Sequence, residues 1–206
     1  MGALQMEGEM VSALVRTAAI VVPWLAWLVY WIHAAPGTKE TVRMERRLSR
    51  TLQSIPLIVG SALIVLPLPL FGPLFGLARS TPAEPVFGVL QWSGLAVVVA
   101  GLLFSVWGRV HLGTNWSVSV TLKDDHELVR SGPYALVRHP IYSGCLAALA
   151  GAAMIRGAWP AGFGLVLIFL SLAYKVRLEE RWLSEHFGEP YRAYRRQVRA
   201  LVPGLY

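Results

Sequence analysis

The stretch Ala19-Ile-Val-Val-Pro-Trp-Leu-Ala-Trp-Leu-Val-Tyr-Trp-Ile32 decides the class of this protein. It lies within residues 17–38, which contain no Asp, Glu, Lys or Arg. Crossing the hydrocarbon core of a bilayer takes about 20 apolar residues, with a range of about 17–25. The Trp and Tyr residues suit an interfacial aromatic belt. Four further intervals, 51–78, 85–108, 139–155 and 157–174, are equally free of charge, and each reaches that range. The second is longer than a span needs. Its helix is expected to end at the cluster Pro67, Pro69, Pro73, because proline removes helix hydrogen bonds. The third runs from about Val86 to Trp107. The fourth and fifth are short and are separated only around Arg156-Gly157, so they read as a tight helical hairpin that need not cross fully.

Composition agrees. Of 206 residues, 15% are charged, where soluble domains average about 25%. Hydrophobic residues make up 55%, Trp occurs 8 times and mean hydropathy is +0.51. Such a chain is too apolar to be disordered, and 19 Lys+Arg with 12 Asp+Glu cannot cover so much apolar surface in a soluble domain. The single cysteine, Cys145, excludes an internal disulfide framework and a Cys-based zinc site. No metal cluster, P-loop or Ser/His/Asp arrangement is visible. Glu7 and Glu9 stand where a signal peptide would be basic, so a cleaved leader is not expected.

The net charge of +7 would suggest nucleic acid as partner of a soluble protein. Its distribution points to a membrane instead. All the basic residues except Arg16, Arg79 and Arg156 fall in the loop 38–50, in residues 109–138, or in the tail from Lys175 to Arg199. With five spans these regions share one side. The positive-inside rule then places the N-terminus outside and the C-terminus in the cytoplasm, in a bacterial inner membrane or its equivalent. The expected fold is all-α and integral to the membrane: about five transmembrane helices, the last two a helical hairpin, plus a cytoplasmic amphipathic C-terminal helix. The partner is the bilayer, and no nucleic acid is called for.

Two segments outside the spans carry chemistry. Residues 109–138 form a long connection, and long connections are usually functional or disordered. Trp116, Leu122, Leu128, Val129, Tyr134 and Leu136 disfavour disorder here. In the tail, Leu178, Trp182, Leu183, Phe187, Tyr191, Tyr194 and Val198 recur every three to five residues. That spacing predicts an amphipathic helix with a break near Gly188-Glu189-Pro190. Arg192, Arg195, Arg196 and Arg199 lie near its polar side, where a basic helix would rest on anionic lipid. Between these segments runs Ser131-Gly-Pro-Tyr-Ala-Leu-Val-Arg-His-Pro-Ile-Tyr-Ser-Gly144. Gly-Pro forces a turn, and His-Pro restricts the backbone before a new helix. Pro140 suits the first helical turn. Arg138 and His139 therefore enter the membrane beside the N–H groups of a helix N-terminus, a place suited to a carboxylate or to headgroup anchoring. Glu179-Glu180 closes the last apolar segment. An acidic pair so near lipid is costly unless paired or used, and Lys175–Glu179 at i, i+4 accounts for part of it.

Taken together, the motifs resemble the isoprenylcysteine carboxyl methyltransferase family of membrane methyltransferases. The matching pieces are His126-Glu127-Leu128-Val129, Gly132-Pro133-Tyr134, Arg138-His139-Pro140-x-Tyr142-x-Gly144, Glu179-Glu180-x-x-Leu183, Phe187-Gly188-x-x-Tyr191-x-x-Tyr194 and Pro203. They cover roughly residues 108–204. The charge-free intervals make the chain one membrane domain over 1–206, with three spans in 1–107, and the resemblance implies a catalytic half in 108–206. It also implies S-adenosylmethionine as cofactor, held by His126, Glu127, Leu128, Val129, Tyr134, His139, Pro140, Ile141, Tyr142 and Glu179. The substrate-side cation it implies is Lys175 or Arg177.

The residues bear this out chemically. A sulfonium and an ammonium call for carboxylates or aromatic faces, which Glu179, Glu180, Tyr134, Tyr142 and Tyr191 can offer. A carboxylate calls for charged donors such as Arg138 and His139. Methyl transfer is an in-line displacement governed by alignment. A carboxylate acceptor needs only orientation, for which Arg177 is a candidate. An amine or thiol needs a base, for which His139 or Glu180 is a candidate. Arg177, Glu180 and Arg138 are thus the catalytic candidates, and no metal is called for. The acceptor would be lipidic or membrane-embedded: a prenylated cysteine carboxylate, a phospholipid amine or a thiol. Two other readings compete. One is an NADPH-dependent membrane reductase of the sterol-reductase type, whose C-terminal motifs are similar. The other is a non-catalytic lipid-binding scaffold.

Overall fold

A computed structural model describes residues 2–34, 41–44, 47–66, 88–113, 121–123 and 128–202. In chain order they form α1 (Gly2–Ala34), β1 (Thr41–Met44), α2 (Arg47–Val65), α3 (Val89–Leu112), β2 (Thr121–Lys123), a 3₁₀ turn (Gly132–Ala135), α4 (Pro140–Arg156), α5 (Trp159–Phe187) and α6 (Glu189–Gln197). His126, Glu127, Trp116, Arg79, the Pro67–Pro73 cluster and Pro203 lie outside the described residues.

The helix ends follow local chemistry. Helix α2 stops at Val65, close before Pro67, because a residue preceding proline is driven out of the α region. The Gly88 N–H at the start of α3 is satisfied by Gln91 Oε1 at 3.0 Å. Helix α4 begins on Pro140 and ends at Gly157, whose φ of +63° gives a left-handed cap with its N–H on the Ala153 carbonyl. Only Gly157 and Ala158 separate α4 from α5, the tight connection expected there. The apolar periodicity runs on without a break into the tail, so α5 is one helix of 29 residues that carries Glu179 and Glu180 before ending at Gly188.

Among the described residues, three helices are long and apolar enough to cross a membrane: α1 over Met10–Ala34, α3, and α5. The other two expected spans are shorter. Helix α4 has 17 residues and is ~26 Å long at 1.5 Å per residue, just short of a ~30 Å hydrocarbon core. The protein is an integral membrane protein built on this helical frame. One detail departs from a purely helical chain: β1 and β2 pair antiparallel, Thr41 opposite Lys123 and Met44 opposite Thr121.

Glycines set the packing. Helices α3 and α4 run antiparallel with Gly94 against Gly151 and Gly101 against Gly144. A Cβ on Gly101 would stand 2.5 Å from the Gly144 carbonyl oxygen. Small residues let helix backbones approach this closely, which matters in lipid, where dispersion rather than water exclusion holds helices together. Helices α2 and α5 repeat the device at Gly60 and Gly164, and Ser171 Oγ donates to the Gln53 carbonyl at 2.8 Å. The sequence-adjacent pair α4 and α5 therefore pack mainly on different partners, α4 on α3 and α5 on α2. Ile20, Ile64, Val98, Leu102, Ile155, Ile168 and Leu172 fill the space between them.

Two buried arginines bind helix ends together. Arg156 donates through Nε to the Ile64 carbonyl at 3.0 Å and through Nη2 to the Val65 carbonyl, so the C-terminus of α4 caps that of α2. Arg109 donates to the Gly113 carbonyl at 2.7 Å and the Ala34 carbonyl at 2.5 Å, tying the end of α3 to the end of α1. A cation at a helix C-terminus also complements the helix dipole. These ties put the ends of α1 and α3 on one side and those of α2 and α4 on the other. Helices α1, α3 and α5 run one way, α2 and α4 the other.

Candidate active site

The turn at Gly132-Pro133 places Tyr134. Gly132 has φ +59°, and a Cβ there would meet the His111 ring, so glycine is required on two counts. Tyr134 Oη donates to the Gly108 carbonyl at 3.4 Å, and Tyr194 Oη donates to the Tyr134 carbonyl at 2.5 Å. The chain then runs beside the end of the tail. The Arg138 N–H donates to the Arg199 carbonyl at 2.8 Å and the His139 N–H to the Ala200 carbonyl at 3.0 Å. Ser143 Oγ donates to the Leu201 carbonyl at 2.6 Å. The backbone donors of Arg138 and His139 are thus taken by the protein's own tail.

Glu180 organises the interior of the site. Its Oε1 accepts from Arg138 Nε at 2.6 Å and Nη2 at 2.5 Å and lies 3.4 Å from His139 Nε2, while Oε2 pairs with Arg195 Nε at 3.3 Å. Arg138 further donates to the carbonyls of Arg195 and Val198. The carboxylate is buried, and a buried charge persists only with such partners. Arg195, read from sequence as a lipid contact, is therefore also an internal ion-pair partner. Arg196 and Arg192 pair instead with Glu189, at 2.6 and 3.8 Å.

Glu179 faces another way. Its Oε2 accepts from Tyr142 Oη at 3.0 Å and lies 3.8 Å from His139 Nδ1. The His139 and Tyr142 rings stack with centroids 5.7 Å apart, and Lys175 Nζ sits 5.1 Å from the Tyr142 ring centroid. Burial pushes the Tyr194 phenol up to about 12. Burial, and then the Glu179 carboxylate, raise the phenol of Tyr134, and burial, then Glu180 and Glu179, raise that of Tyr191. All three remain neutral hydrogen-bonding groups across the physiological range.

Leu128, Val129, Tyr134, Arg138, His139, Ile141, Tyr142, Lys175 and Glu179 line one cavity of about 710 Å³. Pro140 starts the helix behind it. Glu180 and Arg177 do not line it; both lie on a second groove, with Arg181, Ser184, Glu185, Arg192 and Arg195. The cavity also has walls that the motifs did not suggest. Trp24, Trp27 and Trp31 of α1 enter it, with Trp27 Nε1 held by Ser105 Oγ at 2.6 Å. Their spacing of three and four residues is the signal, since it puts them on one helix face. Cys145 also lines the cavity. Tyr191 contributes a side chain 1% exposed whose Oη is, among the described residues, buried without a hydrogen-bond partner.

Residues 94–185 match the model of the isoprenylcysteine carboxyl methyltransferase family. Along this stretch the chain is isoprenylcysteine carboxyl methyltransferase-like. It is 34% identical over 122 residues to a protein-S-isoprenylcysteine O-methyltransferase of Schizosaccharomyces pombe, covering 57% of this chain and 51% of the relative. It is 27% identical over 113 residues to the B form of that enzyme from Arabidopsis thaliana, covering 53% and 57%. The chain thus spans about half the length of the curated relatives it matches. Its fold is shared with the eukaryotic intramembrane Ras methyltransferase, at a TM-score of 0.52 and 22% identity over 79% of this chain and 55% of that one. These two curated relatives are methyltransferases by name, and the residues that the family model matches carry much of the motif-bearing half of this chain.

Proposed function

We propose that this protein transfers a methyl group from S-adenosylmethionine to a lipidic acceptor, with an isoprenylcysteine-like carboxylate as the leading candidate, at the cytoplasmic face of the membrane. The observation that carries this reading is the single cavity with two chemically different ends. One end is apolar, between α1, α2 and α5, with Ile20, Trp24, Leu28, Leu57 and Ile168. The other is polar, with Lys175, Glu179, His139, Tyr142 and Tyr191. A lipid chain fits the first and a charged reacting group the second.

The polar end suits the cofactor. Tyr191 Oη lacks a partner among the described residues, and a buried hydroxyl left so is a place for a ligand atom. Glu179 presents a carboxylate with Tyr142 donating to it, and the aromatic faces of Tyr142 and Tyr134 suit a cation. Leu128 and Val129 offer an apolar edge. When bound, S-adenosylmethionine supplies an electrophilic methyl on sulfonium.

The protein's own contribution is placement. Lys175 lines the cavity, whereas Arg177 lies on the second groove, and Arg138, which also lines the cavity, is already paired with Glu180; we assign acceptor orientation to Lys175. A carboxylate acceptor is ionised at neutral pH and needs no base. Glu180 and Arg138 act as positioning residues, holding His139 and the tail around the site, and the apolar walls keep water from the reacting atoms.

Calorimetric titration of the purified protein in detergent with S-adenosylhomocysteine and, separately, NADPH tests the reading. Binding of S-adenosylhomocysteine is expected. NADPH binding alone would replace the reading with a reductase, and binding of neither would leave a lipid-binding scaffold. Product chemistry tests the acceptor: a carboxyl methyl ester is released by base, whereas an N-methyl or S-methyl product is not.

A further inference from the structure

The second groove, about 370 Å³, opens on the other side of α5 from the cavity. Arg177, Arg181, Arg192 and Arg195 line it, with Ser184, Glu180 and Glu185. Four guanidinium groups thus face two carboxylates. Glu180 is already neutralised within the protein by Arg138, and Arg192 lies 3.8 Å from Glu189, so the four guanidinium groups still outnumber the remaining carboxylates, Glu185 and Glu189, and the groove keeps an excess of positive charge. All four arginines are exposed.

Its position on α5 adds a second, independent observation. Phe163, Val166, Leu170 and Tyr174 form an exposed apolar stripe along this helix. Continued by three and then four residues, the stripe reaches Arg177 and Arg181. Residues at that spacing share one helix face. The apolar stripe therefore runs without a change of face into the arginine groove, and the junction marks the water boundary of the span.

We infer that this groove binds the headgroup of an anionic phospholipid whose acyl chains lie along the Phe163–Tyr174 stripe. The guanidinium fork suits a phosphodiester better than a single point charge would. Helix α6 supplies two of the four donors through Arg192 and Arg195, so an occupied groove would hold α6 against α5. This binding role is separate from methyl transfer and does not depend on it.

The test is native mass spectrometry of the detergent-purified full chain, incubated with phosphatidylglycerol, with phosphatidylcholine, or with inorganic phosphate. Retention of phosphatidylglycerol over phosphatidylcholine is expected. The R181Q/R192Q double variant should weaken retention on the order of thirtyfold, while R181K/R192K keeps most of it. Circular dichroism shows whether each variant keeps its helices, and a variant that does not is replaced by R192Q alone, with a smaller loss in the same direction expected. Equal retention of both lipids, or an unchanged preference in a folded glutamine variant, overturns the inference. So does competition by inorganic phosphate at millimolar concentration that matches that of the lipid, since the acyl stripe would then contribute nothing.

Discussion

Glu179 and Glu180 are neighbours in sequence and opposites in role. Glu180 sits in a closed net with Arg138, His139 and Arg195, and Glu179 borders the cavity through Tyr142. Glu180→Gln should therefore act on stability. It leaves the Arg138 guanidinium buried beside a neutral amide, and breaking a buried pair costs about 3–5 kcal/mol, which would show as a lower thermal midpoint in detergent. Glu179→Gln should leave that midpoint nearly unchanged and weaken S-adenosylhomocysteine binding. Equal affinity in wild type and Glu179→Gln would remove Glu179 from the proposed pocket. Lys175→Ala should slow methyl transfer by about tenfold or more while cofactor-product affinity holds; an equal effect from Arg177→Ala would return that role to Arg177. The doublet was legible in the sequence, because carboxylates at a span end are expensive. Which of the two faces the cavity was not, since adjacent helical residues differ by about 100° in direction and the neighbours they meet come from distant segments.

Among elements, the glycine faces govern the close helix pairs. Gly144→Val should separate α4 from α3, because its Cβ would press on the Gly101 carbonyl and the Ser105 backbone. Overpacking of this kind costs about 1–3 kcal/mol, and more where backbone cannot move. The expected result is a lower melting temperature and poorer recovery of folded protein, with Gly8→Ala, which meets nothing within 4 Å, as the neutral control. The seven-residue spacing of Gly94 and Gly101 in α3, and of Gly144 and Gly151 in α4, marks helix faces that can pack closely. It could not announce that α4 takes α3, and α5 takes α2, as partner. The ends of α1 and α2 also rest on arginines that composition treated only as charge: Arg109 reaches the Ala34 carbonyl and Arg156 those of Ile64 and Val65. Both contacts span more than seventy residues of chain, beyond the reach of any local pattern.

Across the whole molecule, helix direction and charge agree. With α1, α3 and α5 running one way, the loop after α1, the connection after α3 and the tail after α5 share a side, and these hold most of the 19 basic residues. A reporter fused after Tyr206 should therefore report the cytoplasm, and one inserted at Gly157 the opposite compartment. A periplasmic or lumenal signal from the first fusion would sink the proposed orientation.

By itself the sequence determined the medium, the helical class, the charge-bearing side and the motif-rich half. Each of these depends on properties that residues carry with them: transfer free energy, charge and short-range periodicity. The tertiary structure alone decided that the tryptophans of α1 wall the cavity, that Lys175 and not Arg177 lines it, that Tyr191 buries a hydroxyl with no partner among the described residues, and that Arg195 closes the Glu180 net. Those outcomes depend on which helices meet and at what rotation, and that is settled by packing between segments far apart in the chain.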